Sequence, residues 1–196
     1  PTEGRLAAWA FIELAEETGI ILELGEWVLR EACRQAGVWR RERPDQPLTL
    51  RVNLSGRQFA QANLVEQVVG ALEAGQIDPS SLCLEITETA LMEDPAMGLR
   101  VLNDLRALGI SLAIDDFGTG YSSLAYLKRF PVDVLKIDRS FVDGLGDDPD
   151  DTAIATAIIS LARSMGLRVV AEGVETRRQL DELRRLGCDH AQGFLF

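Results

Sequence analysis

The sequence predicts an α/β fold in which parallel strands alternate with crossover helices. Short apolar runs recur along the 196 residues, and stretches with the i, i+3, i+4 spacing of helices separate them. Gly109, Gly166 and Gly187 stand at the ends of three helical stretches, where a left-handed residue is commonly required. Such alternation is typical of a parallel sheet covered by helices.

The predicted strands are the apolar runs that are short enough to be buried in a sheet. In chain order they read TLRVNLS, LCLEIT, ISLAID, VLKID, LRVVAE and AQGFLF, at residues 49–55, 82–87, 110–115, 134–138, 167–172 and 191–196. The stretches with helical spacing lie between them, at residues 21–41, 59–75, 95–108, 122–130, 152–165 and 177–186. The acidic segment 143–151 is predicted to be a surface loop that leads into a helix. We find no repeat or linker, so we expect one domain over residues 1–196.

The polar residues decide between the two architectures that this alternation allows, an open doubly wound sheet and a closed barrel. Nearly every predicted strand ends in polar groups: Asn53, Glu85, Asp115 with Asp116, Lys136 with Asp138, Glu172 and Gln192. In a (β/α)8 barrel all carboxyl ends of the strands meet on one face, whereas an open sheet collects such groups near one switch point. The pattern therefore favours a barrel, and six strands make it an incomplete one.

Composition excludes several classes of protein. The formal net charge of −11 argues against binding to a nucleic-acid polymer. No apolar run approaches the roughly 20 residues that span a bilayer, and the first residues do not resemble a signal peptide. The three cysteines, Cys33, Cys83 and Cys188, are far apart and odd in number. We therefore expect reduced thiols in a cytoplasmic protein without a membrane segment.

Some of the polar strand ends have simple structural explanations. Asn53 can form a turn or cap a helix, and this is the more common role of such a residue. Glu85 and Glu88 could belong to a capping box around Thr87. Each of these residues, taken alone, therefore carries little information about function.

Other strand ends are harder to explain in this way. A lysine inside Val-Leu-Lys-Ile-Asp, Lys136, must bury its stem and find an anion, for which Asp138 is one structural candidate. Glu172 and Glu175 could be charges that favour the start of a helix. Independent capping is nevertheless a poor explanation for so many polar residues at the same position of successive strands.

The residue types indicate the chemistry. Amide and carboxylate oxygens without histidine or cysteine favour hard cations such as Mg²⁺ or Mn²⁺. Adjacent aspartates, Asp115 and Asp116, with flanking acids can hold two ions about 3.5–4 Å apart, which polarise a phosphodiester and activate a water. Lys136 can stabilise that water or the charge that develops on the phosphoryl oxygens. These residues predict metal-assisted phosphodiester hydrolysis and leave the ester open.

Six motifs in order resemble the EAL family of cyclic di-GMP phosphodiesterases. They are Val52-Asn-Leu-Ser55, Leu84-Glu-Ile-Thr-Glu88, Asp115-Asp-Phe-Gly-Thr-Gly-Tyr-Ser-Ser123, Leu135-Lys-Ile-Asp-Arg-Ser-Phe141, Ala171-Glu-Gly-Val-Glu175 and Gln192-Gly-Phe-Leu195. The resemblance implies a modified TIM barrel that hydrolyses cyclic di-GMP to linear pGpG.

The resemblance also implies a role for each matching residue. It implies that one metal is held by Asn53, Glu85 and Asp115, and a second by Asp115, Asp116 and Glu172. Lys136 would contact the catalytic water, and Glu175 and Gln192 would be further site residues that bind substrate. Glu88 would anchor the Asp-Phe-Gly-Thr-Gly loop, so the candidates for catalysis are Lys136, Glu172 and Glu88. The family also uses the face of this loop, residues 115–123, for dimer contacts, so a homodimer is expected.

The sequence departs from the family at its two ends. The Glu-Ala-Leu motif is absent, and with it one metal ligand, so we interpret the chain as a piece of an EAL domain trimmed at both ends. The parent could carry an upstream sensory or GGDEF-type domain. Three functions stay open: an active phosphodiesterase, a degenerate domain that senses cyclic di-GMP, and an inactive partial barrel with unpaired strand edges. Because every acid of the cluster within this span is kept, the enzyme is favoured.

Overall fold

The computed structural model describes residues 10–46, 48–120 and 124–196. Its sheet has six strands in chain order, β1 (Leu50–Leu54), β2 (Leu82–Thr87), β3 (Ser111–Phe117), β4 (Val134–Ile137), β5 (Arg168–Ala171) and β6 (His190–Ala191). Each strand pairs in parallel with the next. The sheet is curled, and within the described residues β1 and β6 do not pair with each other. The prediction of an α/β fold with an incomplete barrel is confirmed.

Two helices precede β1, and the others connect the strands. They are α1 (Ile12–Thr18), α2 (Ile21–Glu42), α3 (Gly56–Phe59), α4 (Leu64–Gly75), α5 (Glu88–Glu93), α6 (Pro95–Ala107), α7 (Leu124–Leu127), α8 (Arg139–Asp143), α9 (Pro149–Ser164) and α10 (Arg177–Leu186), with a 3₁₀ turn at Pro79–Ser81. Gly109, Gly166 and Gly187 all have positive φ, as predicted. The short helices α3, α5 and α8 were not predicted. Each follows a strand directly, because Ser55, Thr87 or Asp138 caps its first turn.

Several predicted elements differ from the structure at their boundaries. The helix predicted at 59–75 begins only at Leu64, as α4, because α3 ends at Phe59 and a turn separates the two helices. The strand predicted at 191–196 is wrong beyond Ala191, because the chain turns there and leaves Phe194 90% and Phe196 73% exposed. The helix predicted at 122–130 is observed as α7, and residues 122–123 lie outside the described part of the chain. In the described part of the chain, no helix combines the length and the apolar character needed to cross a membrane.

The two faces of the sheet bury different side chains. The outer face contributes residues such as Leu84, Leu112 and Leu135 to the main hydrophobic core beneath the helices. The inner face carries a separate cluster of small, neutral side chains, Cys83, Ala113, Val134 and Val170. Because strand side chains alternate, the next inward positions toward the carboxyl ends are those of the predicted polar residues. The small cluster therefore forms the floor of the site.

Helices α2 and α4 support β1 through an unusually close contact. A Cβ atom added to Gly37 of α2 would lie 1.9 Å from the carbonyl oxygen of Gly75 in α4. A Cβ added to Gly75 would lie 2.4 Å from the carbonyl oxygen of Cys33. The two backbones meet directly, so neither glycine can be replaced without moving one helix.

Candidate active site

Six polar side chains from six successive strand ends meet at the carboxyl end of the sheet. Each of the strands β1 to β4 supplies one of them, and one residue directly follows each of β5 and β6. In chain order they are Asn53, Glu85, Asp115, Lys136, Glu172 and Gln192. The register places Asn53 opposite Glu85 on adjacent strands. The predicted barrel geometry therefore brings together residues that are up to 139 positions apart in the sequence.

Lys136 lies at the centre of this group and is only 2% exposed. Its Nζ is 2.5 Å from Glu85 Oε2, 2.9 Å from Asp115 Oδ1 and 2.5 Å from Glu172 Oε1. Burial by itself would lower the pKa of Lys136, but the hydrogen bonds with Glu172 and Glu85 raise it above its ordinary value. The side chain is therefore a permanent cation at neutral pH, and it partly neutralises the carboxylates around it.

The carboxylates converge closely enough to bind a metal. Glu85, Asp115 and Glu172 each offer one oxygen, and these oxygens lie within 4.8 Å of one another. Burial raises the pKa of Glu172 above its ordinary value, although the bond to Lys136 opposes the shift. Gln192 Nε2 donates a hydrogen bond to Glu172 Oε1 at 2.7 Å, which fixes the carboxylate from the β6 side.

Asn53 closes the group on the β1 side. The end of its carboxamide lies 3.2 Å from Glu85 Oε2 and 3.2 Å from Asp115 Oδ2. With the nitrogen on that side, Asn53 donates to both carboxylates. With the oxygen there, three oxygens face one point, an arrangement that is favourable only around a cation. A half-turn of one amide thus converts a hydrogen-bonded cluster into a set of oxygen ligands.

A β-bulge brings both adjacent aspartates to the site. Ile114 pairs with Leu135 and Phe117 pairs with Ile137, so β3 holds one more residue than β4 over the same length. Asp116 takes up the extra length with a left-handed backbone, φ 52°.

The bulge also determines the surroundings of Asp116. Its amide donates to Asp115 Oδ1 at 3.0 Å. Burial raises the pKa of Asp116 above its ordinary value, and the charges of Asp115 and Asp138 raise it further. Strict alternation would have sent the two aspartates to opposite faces of the sheet, and the sequence gives no direct signal for the bulge.

Glu88 connects the end of β2 with the loop after β3. Its Oε2 accepts a hydrogen bond from the Gly118 amide at 2.9 Å, and Glu88 is only 2% exposed. Gly118 has φ 99°, which favours glycine. The suggested capping box around Thr87 does not form. Thr87 Oγ1 instead accepts from the Ala90 amide at 3.4 Å and caps the first turn of α5.

Glu175 lies apart from the central group. Its side chain is 41% exposed and forms an ion pair with Arg139 at 2.9 Å. The structure therefore places Gln192 against the carboxylates and Glu175 at the rim. Two arginines at the site were not predicted: Arg139, and Arg51, which contacts Glu85 at 3.0 Å from the amino-terminal side of the strands. The two-residue period that places Asn53 inward also places Arg51 inward, so the signal for Arg51 was present in the sequence.

Comparison with known proteins identifies the class to which this fold and site belong. The EAL domain model matches residues 1–196, and the chain belongs to that family. The resemblance inferred from the six motifs is thereby confirmed.

Individual relatives agree with this assignment. The chain is 50% identical over 195 residues to MucR of Pseudomonas aeruginosa, a bifunctional diguanylate cyclase/cyclic di-GMP phosphodiesterase. It is 47% identical over 196 residues to the cyclic di-GMP phosphodiesterase NbdA of the same organism. Both alignments cover 100% of the chain, but only 28% of MucR and 25% of NbdA. The solved PaMucR phosphodiesterase in complex with c-di-GMP superposes with a TM-score of 0.96, covering 100% of this chain and 78% of that one.

Proposed function

We propose that this domain hydrolyses cyclic di-GMP to linear pGpG with the help of two divalent cations, Mg²⁺ or Mn²⁺. The observation that carries the proposal is the bonding of Lys136 Nζ to three carboxylates at the carboxyl ends of the strands. MucR and NbdA are named as cyclic di-GMP phosphodiesterases, which supports the choice of ester. We also propose that residues 1–196 belong to a single domain.

The residues of the site fit divalent cations. The atoms that could coordinate a metal are all carboxylate or amide oxygens, which suit hard ions. We assign Asn53, Glu85 and Asp115 to one ion, with Asp115 shared by a second ion that Asp116 and Glu172 also hold. Four carboxylates face two cationic side chains, Lys136 and Arg51, among the described residues. This excess of negative charge favours the binding of cations. When bound, such ions would polarise the phosphodiester and lower the pKa of a water molecule.

The side chains then have distinct roles in the hydrolysis. Water adds to one phosphorus, the P–O3′ bond breaks, and the products of that step are a 5′-phosphate and a 3′-hydroxyl. Lys136, with its raised pKa, stays protonated and stabilises the negative charge on the phosphoryl oxygens instead of accepting a proton. Glu172 holds the lysine on the reaction side. Gln192 and Glu175 bind the substrate, and Glu88 fixes the loop that follows the aspartates.

Turnover of cyclic di-GMP by the full-length protein tests the proposal. Linear pGpG should accumulate in Mg²⁺ or Mn²⁺ and should not form in excess chelator. Equal turnover in chelator would rule out the metal mechanism. Binding of cyclic di-GMP without any hydrolysis, in either metal, would instead identify the domain as a sensor.

The surroundings of the domain are part of the proposal. We propose a cytoplasmic location, a homodimer that uses the face of loop 115–123, and further sensory or GGDEF-type domains in the whole protein. Residues 121–123 of that loop lie outside the described part of the chain. Sedimentation of the full-length protein with and without cyclic di-GMP tests the dimer, and a purely monomeric species in both would contradict it.

A further inference from the structure

Arg51 reaches Glu85 from the floor of the site. Its position on β1 lies opposite Cys83, two residues before Asn53. Its Nη1 is 3.0 Å from Glu85 Oε1 and 3.9 Å from Cys83 Sγ. The long side chain therefore crosses diagonally from one strand to the next and approaches the carboxylate from the side opposite the reaction.

Glu85 is held by two different cations, one at each oxygen. Arg51 contacts Oε1, whereas Lys136 contacts Oε2 at 2.5 Å. The Asn53 carboxamide also approaches Oε2, at 3.2 Å. Because the side chain of Glu85 is only 5% exposed, these contacts determine its orientation. Oε1 therefore points toward Arg51 at the floor of the site, and Oε2 is the oxygen that faces the other polar residues.

No other acidic partner of Arg51 is found in the described part of the chain. The cavity beside its guanidinium, about 480 Å³ in volume, is lined by Arg168, His190 and neutral residues. The floor itself consists of the small, neutral cluster around Cys83. Arg51 is therefore directed to Glu85 by its surroundings.

We propose that Arg51 is a positioning residue for Glu85: by holding Oε1, it makes Glu85 offer the single oxygen Oε2 to a divalent cation. This inference rests on the proposed function, in which Glu85 is a metal ligand. In this role Arg51 acts through Glu85 and is not itself a ligand of the ion. Outer residues that orient a ligand in this way commonly change metal affinity by about 10- to 100-fold.

The charge of Arg51 and its positioning effect have opposite consequences, so an experiment can separate them. A positive charge near a cation site repels the ion, and its removal would tighten binding if charge alone mattered. If positioning dominates, removal frees Glu85 to rotate, and binding weakens. The sign of the change in affinity distinguishes the two.

Titration of the full-length protein with Mn²⁺ alone, followed by electron paramagnetic resonance and calorimetry, measures this sign. Arg51→Met should weaken Mn²⁺ binding about tenfold, and Arg51→Lys should restore most of the affinity. Arg168→Met is the matched control, since it removes an arginine from the same cavity without touching Glu85, and it should leave the affinity unchanged. Arg51→Gln, which keeps a neutral donor, should fall between the methionine and lysine variants.

Unchanged or tighter Mn²⁺ binding in Arg51→Met would overturn the proposal, as would an equal loss in Arg168→Met. Circular dichroism establishes whether each variant is folded. If Arg51→Met does not fold, the Mn²⁺ affinities of Arg51→Gln and Arg51→Lys are compared instead, and Arg51→Gln should bind more weakly. Turnover of cyclic di-GMP by the unmodified protein tests the proposed function separately. The role of Arg51 is measured only as a ratio of affinities between variants.

Discussion

Glu88 Oε2 and the Gly118 amide are joined by a 2.9 Å hydrogen bond across 30 positions of sequence. The bond links the first residue of α5 to the loop that immediately follows Asp115 and Asp116. The end of β2 and the loop after β3 are therefore tied to each other through a carboxylate that is only 2% exposed.

Replacement of Glu88 should therefore affect both activity and stability. Glu88→Ala leaves the partly buried Gly118 amide without this acceptor, at a cost of about 1 kcal/mol, and we expect a loss of activity because the loop is freed. Glu88→Gln keeps an oxygen that can accept the bond, and should retain more of both. The melting temperature and the turnover of cyclic di-GMP measure the two effects. Normal turnover in Glu88→Ala would contradict the anchoring role.

Asp115 is expected to be essential for metal binding. Asp115→Asn removes one charge from the carboxylate that we assign to both ions, so Mn²⁺ affinity should fall and the rate should drop by on the order of a hundredfold or more. Asp133→Asn is a suitable control, because Asp133 accepts from Arg106 and the Leu112 amide, away from the site. Calorimetry measures the Mn²⁺ affinity, and a turnover assay measures the rate. If both were equal to the parental values, Asp115 would not be a metal ligand.

Lys136 should be more important for the ion-free protein than for the ion-bound one. Lys136→Met leaves buried carboxylates without their cation, a change that costs about 3–5 kcal/mol in comparable sites. We expect a lower melting temperature in chelator, a partial recovery when Mn²⁺ is added, and a rate at least about a hundredfold lower. Melting curves with and without Mn²⁺ check this expectation. If the Lys136→Met variant were as stable as the parent in chelator, Lys136 would not be the cation that stabilises these carboxylates.

Asp116 has a backbone conformation that most residues avoid, with φ 52°. Asp116→Gly should be more stable than Asp116→Ala by about 1 kcal/mol, since a left-handed residue with a Cβ costs roughly 1–2 kcal/mol. Both variants lack the carboxylate and should have low activity. Denaturant unfolding of the pair gives the difference directly. Equal stability would mean that the bulge relaxes when the aspartate is removed.

The sequence predicted the parallel strands and most of the polar residues of the site because both follow from periodicity. An apolar strand that ends in Asn53 or Glu85 can be recognised from local order alone. The last strand was predicted to be too long for the same reason. Apolar residues usually indicate a buried strand, whereas Phe194 and Phe196 are exposed.

Contacts between distant residues could not be predicted from periodicity. The position of Lys136 among three carboxylates depends on the curvature of the sheet, and the contact of Glu88 with Gly118 depends on how a loop folds back. The backbone contact of Gly37 with Gly75 is of the same kind, since it depends on how closely two helices pack. These relationships arise from tertiary structure and leave no pattern in the local sequence.

The bulge in β3 adds one residue that regular pairing of the strands does not need. Since β3 carries one residue more than β4 between paired positions, the loss of one codon there would restore regular pairing and remove one acid. A descendant with that deletion would keep its hydrophobic core and its strand order. In such a lineage, one mutational event would remove a carboxylate from the site while the scaffold stays in place.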